Sequence, residues 1–248
     1  MTNSEFSNQF DVLYNNIMSN QAPGLDEYEK SVFLTKAQDE IVKAYFNPKG
    51  NKYLEGFDGN EQRQIDFSML MKTSVVTTFS NSVFDGRTTG VKAVTIPDDV
   101  LSFVNEKLQV TRDGASEMLA IIPISYTEYT LKMSKPYKRP LHYQAWRLID
   151  NTSGTRSADV IAGPNDTFVK YVARYVKKPR AIRLIDFEGV TLEGASTAQT
   201  CELDPVLHEE VLQRAVELAK AAYTGDLNSQ IALGQTSETP KGIVAQSR

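Results

Sequence analysis

Residues 168–183 read FVKYVARYVKKPRAIR, and this stretch decides how the middle of the chain folds. The odd positions from 169 to 175 are apolar or aromatic, and the even positions alternate between aliphatic and cationic side chains. Successive side chains of a strand point to opposite faces, so the alternation predicts a half-buried strand. Pro179 ends this strand, and the following Ala181–Phe187 predicts another one.

The same stretch is basic, with six Lys or Arg among sixteen residues, although the whole chain has a formal net charge of −4. The formal balance is −5 over residues 1–66, −1 over 67–122, +8 over 123–183 and −6 over 184–248. Such asymmetry bears on partners rather than on fold. Two interpretations stay open: acidic ends that complement the basic middle, within one chain or between copies, and a nucleic-acid surface. Cations on a strand also protect a sheet edge from pairing.

The two ends of the chain have helical periodicity. Apolar residues recur at helical spacing from Ser4 to Ile17, and a capping box formed by Asp26 and Glu29 starts a second helix that stops at Asn47. Near the other end, Asp204 caps a helix whose first position is Pro205 and which closes at Gly225. Both ends are therefore predicted to be helical, and the last residues are polar and predict a tail.

The region between these helices predicts short strands and turns, because it is rich in β-branched residues and in Gly and Pro. The predicted fold class is α+β, with an N-terminal helical hairpin and a C-terminal helix in a helical bundle, a mostly antiparallel β-rich middle and an extended C-terminal tail. The predicted divisions are a helical hairpin at 1–58, a β-rich domain at 59–202, a C-terminal helix at 203–225 and a tail or arm at 226–248.

The residues that usually carry chemistry are scarce. Two histidines and the single Cys201 cannot build a usual His/Cys metal site, and neither a P-loop, a G-x-G-x-x-G motif nor a nucleophile elbow occurs. We expect Trp146 and Cys201 to be core residues and His208 to have a capping or surface role. The sequence contains no run of about 18 apolar residues, so no membrane span is predicted. We therefore predict no enzymatic activity, no cofactor, no catalytic residue and no metal site. An enzyme would need a carboxylate cluster, for example around Asp98, Asp99 and Glu106.

Three stretches carry a resemblance to a known family. They are NQFDVLYNNIMSNQAPGLDEYEKSVFLTKAQDEIVKAYF, KYVARYVKKPRAIRL and LHEEVLQRAVELAKAAY, which together cover 71 of the 248 residues. In this order they resemble the neck or ring proteins, the head–tail connectors and tail-tube adaptors, of tailed double-stranded DNA bacteriophages, and most closely those of crAss-like phages.

The resemblance implies a structural virion protein that is assembled in the host bacterial cytoplasm and forms a homo-oligomeric ring, commonly of twelve subunits, in the phage neck. Such a ring connects the portal protein to the next tail or ring protein, and genomic DNA passes through its lumen without sequence recognition. The alternative function is a nucleic-acid-binding module that uses the basic segment 168–183. The candidate interface residues are Lys170, Arg174, Lys177, Lys178, Arg180, Leu207, Val211, Ala215, Ile231 and Leu233.

Overall fold

The computed structural model describes residues 1–17, 24–46, 65–82, 90–150 and 156–224. These residues contain four α-helices and eight β-strands, which confirms the α+β class. They divide into two compact units. The sheet unit is Met71–Lys178, and the helical unit combines the residues up to Leu70 with those from Pro179 onward. Residues 179–202, which the sequence grouped with the β-rich part, thus belong to the helical unit, and the predicted tail lies outside the described residues.

Three helices belong to the helical unit: α1 (Asn3–Ile17), α2 (Glu27–Phe46) and α4 (His208–Thr224). The predicted capping box of α2 is present, because Asp26 and Glu29 exchange backbone-to-side-chain hydrogen bonds of 2.7 and 3.1 Å. Ahead of α4, the Asp204 carboxylate accepts from Val206 N at 3.0 Å and caps a single 3₁₀ turn. Helix α4 packs against both α1 and α2. The predicted cap positions are therefore confirmed.

The prediction of a strand at Ala181–Phe187 is wrong. Residues 180–184 form an extended segment that joins no strand ladder, and the only bridge there is between Arg183 and Gln199. Ala181, Ile182 and Leu184 are nevertheless buried, as the apolar pattern requires. The sequence pattern thus identified a buried extended segment but not the partner that satisfies its backbone.

That partner is a polar stripe on α2, formed by Ser31, Thr35 and Gln38, which are all buried. Thr35 Oγ1 accepts from Ile182 N at 3.1 Å and donates to the Ile182 carbonyl at 3.3 Å. Ser31 Oγ accepts from Leu184 N at 3.1 Å, and Gln38 Nε2 donates to the carbonyl of residue 180 at 2.9 Å. Side chains of a helix therefore replace the neighbouring strand that a sheet would supply.

The sheet unit contains eight strands: β1 (Met71–Val76), β2 (Ser80–Asn81), β3 (Val91–Thr95), β4 (Val100–Arg112), β5 (Ala115–Pro123), β6 (Gln144–Asp150), β7 (Ser157–Ile161) and β8 (Thr167–Lys177). Their order in the sheet is β1-β8-β4-β5-β6-β7-β3-β2. Every pair is antiparallel except β5 with β6, whose crossover contains α3 (Tyr126–Met133). The prediction of a mostly antiparallel middle is confirmed.

One face of this sheet encloses the larger of two apolar clusters in the described residues of the sheet unit. Buried side chains of β3 to β8 join one cluster, which includes Val94, Leu108, Ile121, Val160 and Tyr171. Neighbouring strands twist relative to one another, so a long sheet curls around its buried face. On the other face, a second buried cluster joins Trp146, Leu148 and Ile161 to Tyr129 of α3. The part of that face formed by β8 carries polar and partly exposed side chains, including its basic residues.

An ion pair between Arg112 and Asp166 connects the start of β8 to the hairpin of β4 and β5. Arg112 at the end of β4 binds both carboxylate oxygens of Asp166, at 2.6 and 2.7 Å, and Gly163 N donates to the same carboxylate at 2.9 Å. The Arg112 guanidinium holds the pKa of the Asp166 carboxyl below its usual range. Since the Asp166 side chain is only 1% exposed, solvent screens this pair weakly.

We predict that Thr35→Val lowers the free energy of unfolding by about 1–3 kcal/mol, because the buried backbone groups of Ile182 lose their side-chain partner. Urea unfolding measures the loss. Thr73→Val is the matched control, since Thr73 is exposed on β1 and its change should cost less than about 0.5 kcal/mol. Equal stability of the two variants would contradict the role of the polar stripe.

We predict that Asp166→Asn destabilises the protein by about 2 kcal/mol at neutral pH. A carboxyl with a lowered pKa contributes stability above its unfolded pKa, and this contribution is lost as the pH falls through the folded pKa. The deficit of the variant should therefore shrink below about pH 4, where the carboxylate of the unfolded wild type starts to be protonated while the folded one is still ionised. Urea unfolding of both proteins across this pH range tests the prediction, and a deficit independent of pH would refute it.

Candidate interface surfaces

Strand β8 has the two faces that its sequence predicts. Tyr171, Ala173 and Tyr175 are buried, whereas Arg174 is exposed and Lys170 is partly exposed on the opposite face. Three irregularities in the register with β4 occur, where β8 pairs with Val100–Ser102, with Phe103–Asn105 and with Gln109–Val110. The predicted half-buried strand is confirmed, and its cations lie where a partner can reach them.

Lys170 and Arg174 have no charged partner among the described residues. A third exposed cation, Lys107, lies on the neighbouring β4, opposite Val172 of β8. The strand positions paired with Lys170 and Arg174 carry uncharged side chains, namely Gln109, Asn105 and Thr73. This outer face of β8 and β4 therefore presents positive charge that the adjacent strands do not neutralise.

The remaining cations of the basic segment 168–183 interact with other groups of the protein. Lys177 is half-buried and Lys178 is exposed, and each makes an interaction within the structure. In the helical unit, Arg180 is paired with Glu202, with Nε 3.1 Å from Oε1. Arg183 is buried and donates to the carbonyls of Thr197 and Leu192. The basic segment is consequently not one uniform cationic surface, and Lys170 and Arg174 are its unpaired members among the described residues.

The other candidate interface residues are apolar. Leu207, Val211 and Ala215 are buried inside the helical unit, where α4 packs on α1 and α2. Their side chains thus contribute to the core of the chain itself, and an interface role for them stays a prediction. Ile231 and Leu233 lie outside the described residues.

A buried polar cluster on the inner face of the sheet is a feature that the sequence reasoning missed. Glu106 of β4 accepts from the Tyr171 hydroxyl at 2.5 Å and lies 2.6 Å from Nη1 of Arg147 on β6. The Arg147 guanidinium also lies over the Phe103 ring, 4.1 Å from its centroid. Burial raises the pKa of the Glu106 carboxyl and of the Tyr171 hydroxyl. A signal was available, since Arg147 interrupts the otherwise apolar run AWRLI.

A second hydroxyl–carboxylate contact lies near the end of β8. Asp99 accepts from the Tyr175 hydroxyl at 3.0 Å and from Lys72 Nζ at 2.7 Å. Burial together with Asp99 raises the pKa of Tyr175 to about 12. Asp99 and Glu106 therefore bind different tyrosines. Within the described residues, no group of three His, Cys, Asp or Glu could hold a metal ion.

An open cavity of about 490 Å³ adjoins the Glu106–Arg147 pair. Its walls come from β4, β5 and β6 and include Ser102, Phe103 and Pro123. Nε of Arg147 has no hydrogen-bond partner among the described atoms. Among the described residues the lining holds neither histidine, cysteine nor lysine, and its charged side chains are Glu106 and Arg147.

Three sequence predictions about single residues have different outcomes. Cys201 is buried as predicted, and burial raises the pKa of its thiol to about 11. His208 is not a surface residue, because it is only 4% exposed, bonds through Nε2 to the Leu203 carbonyl at 3.0 Å and packs on the Phe6 ring. Trp146 is a core residue as predicted. Neither Cys201 nor His208 has the exposure that a reactive side chain needs.

Comparisons with known proteins identify the class. Residues 1–230 match the family model of the phage tail ring protein 3/4. The chain is 50% identical over 245 residues to "Ring protein 4/5" of Bacteroides phage crAss001, covering 96% of this chain and 100% of that protein. It is 31% identical over 235 residues to "Ring protein 3" of the same phage, covering 91% of this chain and 99% of that protein.

The family match and the names of both relatives indicate a structural ring protein of a phage. The chain belongs to the crAss-like phage tail ring protein family. The resemblance stated from the sequence is therefore confirmed. In the described residues no helix is both long and apolar enough to cross a membrane.

We predict that Glu106→Gln lowers the free energy of unfolding by about 3–5 kcal/mol, because it leaves the buried Arg147 charge uncompensated. The matched control is Glu117→Gln, which removes a 3.0 Å pair with Arg112 whose carboxylate side chain is 40% exposed. That control should cost less than about 1 kcal/mol. Urea unfolding of the two variants measures the difference. If the control loses as much free energy of unfolding as Glu106→Gln does, burial does not determine the cost of breaking such a pair.

Proposed function

We propose that this protein forms a closed homo-oligomeric ring, of about twelve copies as such rings commonly contain, in the neck of the phage. The ring connects the portal protein to the next tail or ring protein and surrounds the channel through which the genomic DNA passes. It assembles in the host bacterial cytoplasm and has a structural rather than a catalytic role. The observation that carries this proposal is the 50% identity, over nearly the whole length of both chains, to a protein named as a ring protein.

The outer face of β8 supports an interface role. Lys170 and Arg174 project from a rigid sheet, and neither has a charged partner among the described residues. In a ring each subunit makes the same heterologous contact with the next one, so a basic surface of one copy can meet an acidic surface of its neighbour. The candidate interface thus consists of Lys170 and Arg174 with Lys177, Lys178 and Arg180 beside them in sequence.

A contact with protein carboxylates suits this surface better than tight binding of duplex DNA. Each phosphate contact adds salt-sensitive affinity, and a channel through which DNA slides gains nothing from such affinity. The aromatic side chains of the segment are not available for base stacking, because Tyr171 and Tyr175 are buried and donate to carboxylates. Binding of the basic segment 168–183 to nucleic acid is the alternative, and the β8 variant described below tests it.

Native mass spectrometry of the purified protein, alone and mixed with the portal protein of the same phage, tests the proposal. We expect a closed oligomer of about twelve copies, alone or on the portal. A protein that stays monomeric in both samples at high concentration would refute the ring. A ring that forms alone but ignores the portal would keep the ring and refute the neck placement.

The double variant Lys170→Glu/Arg174→Glu should weaken ring assembly by about tenfold or more in concentration, since two unpaired cations become repulsive towards an acidic neighbour. Analytical ultracentrifugation across a concentration series measures the midpoint of assembly. The matched control is Lys36→Glu/Lys43→Glu, which makes the same charge change on exposed positions of α2.

Both double variants should keep the circular dichroism spectrum of the wild type, because the four side chains are exposed or partly exposed. Assembly of the β8 variant at the wild-type midpoint would contradict the assignment of the outer face of β8. If the wild type binds duplex DNA with a steep salt dependence and the β8 variant does not, the surface is a nucleic-acid site instead.

A further inference from the structure

A second cationic surface lies in the sheet unit, outside the basic segment 168–183. Residues 131–143 read LKMSKPYKRPLHY and contain four Lys or Arg but no Asp or Glu. Lys132 pairs with Glu128 at 3.7 Å and lies over the Trp146 ring. The other three cations, Lys135, Lys138 and Arg139, are exposed and make no ion pair with any described residue.

Large apolar side chains are exposed in the same thirteen residues. Tyr137 is 78% exposed, Leu131 is 64%, Tyr143 is 52% and Leu141 is 49%. Single exposed apolar residues are normal on a protein surface, but four in one short segment mark a contact surface. Tyrosine and arginine together are the side chains that most often dominate the energy of protein interfaces.

The backbone of this segment is held in place, so it can bind without a large loss of conformational entropy. Lys138 N bonds to the Lys135 carbonyl at 3.0 Å around Pro136. Further on, Arg112 donates to the His142 carbonyl at 2.9 Å, and Ala120 N donates to the Tyr143 carbonyl at 3.2 Å. The segment is therefore an ordered platform rather than a loose loop.

The mixture of side chains indicates the chemistry of the partner. Phosphate backbones attract lysine and arginine, but they bury no leucine, and Leu131 and Leu141 are 64% and 49% exposed here. A protein surface that combines carboxylates with aliphatic side chains matches both components of the segment.

The chain itself carries such a surface in its helical unit. Residues 185–194 read IDFEGVTLEG, with three carboxylates and neither Lys nor Arg. Ile185 and Val190 are 48% and 47% exposed, and Glu188 is exposed with no ion pair to any described residue. Backbone bonds hold this segment too, with Phe187 N 2.8 Å from the Ser196 carbonyl and Leu192 N 2.9 Å from the Ala195 carbonyl.

We propose that residues 131–143 of one copy dock on residues 185–194 of the next copy, which places the aromatic and leucine side chains against Ile185 and Val190 and the cations against Glu188 and its neighbours. This contact rests on the proposed ring. It joins two different surfaces of the same chain, and such a heterologous contact repeats from copy to copy and closes when the rotation permits.

A crosslinking experiment tests the contact directly. Lys138→Cys/Glu188→Cys is treated with a short bismaleimide under the conditions in which native mass spectrometry shows assembly. We expect a ladder of covalent oligomers that ends at the ring size. Either single variant alone should give no ladder, and the wild type, whose Cys201 is buried, should give none. Oligomers that assemble but stay uncrosslinked in the double variant overturn this contact and leave the ring intact.

A charge exchange provides an independent readout. Lys135→Glu/Arg139→Glu should raise the assembly midpoint about tenfold or more, and adding Glu188→Lys to the same chain should recover part of that loss. The control Lys36→Glu/Lys43→Glu should assemble as the wild type does. An unchanged midpoint for Lys135→Glu/Arg139→Glu overturns the proposal.

The remaining outcomes separate this contact from its alternatives. If the wild type assembles under no condition, the ring and this contact fall together. If labelled duplex or single-stranded DNA binds the wild type and Lys135→Glu/Arg139→Glu abolishes that binding while assembly is unchanged, the platform is a nucleic-acid surface and the contact is refuted.

Discussion

The buried pair of Glu106 and Arg147 is the constraint around which the sheet is arranged. It joins β4 to β6, and the Tyr171 hydroxyl brings in β8. Removing two charges from water is costly, and their attraction offsets this cost only when geometry and further hydrogen bonds are good. A shift of one residue in the register of β4 against β8 would turn Glu106 to the opposite face and leave the Arg147 charge alone in an apolar interior. The pair therefore favours one register of the curled sheet over its neighbours.

The two units satisfy their backbones by different means. In the sheet unit the strands pair with one another, and bulges in β4 and β8 absorb the irregular register. In the helical unit, residues 180–184 are equally extended, but Ser31, Thr35 and Gln38 of α2 supply the hydrogen bonds. Serine and threonine normally weaken the interior of a helix, because serine competes for backbone hydrogen bonds and threonine loses rotamer freedom. Here their cost is offset by the buried backbone groups that they satisfy.

Local patterns predicted most of the elements, because their causes are local. Asp26 and Glu29 lie three residues apart and cap α2, and the alternation from 169 to 175 predicts β8 without knowledge of its neighbours. The sequence failed where the cause lies far along the chain. Ala181–Phe187 has the composition of a strand, but the partners of its buried Ile182 and Leu184 are about 150 residues away on α2. His208 is polar and near a helix start, but Phe6 covers it.

Surfaces were predicted less completely than elements, for a related reason. The strip 168–183 was chosen for its density of charge, and the structure shows that Arg183 is buried and Arg180 is paired. The segment 131–143 has almost as much charge, but its exposed tyrosines and leucines could not be separated from core residues by spacing alone. Exposure of an aromatic ring depends on what packs over it, and that is decided by the fold as a whole.

The division of the chain also has a consequence for biosynthesis. The sheet unit is one continuous stretch, Met71–Lys178, whereas the helical unit is built from both ends of the chain. Helices α1 and α2 leave the ribosome first, but α4, on which both pack, is made last. Domains fold as units during synthesis. The sheet unit can thus be complete while α1 and α2 still expose the faces that α4 will cover, and the helical unit closes only after its last helix is released.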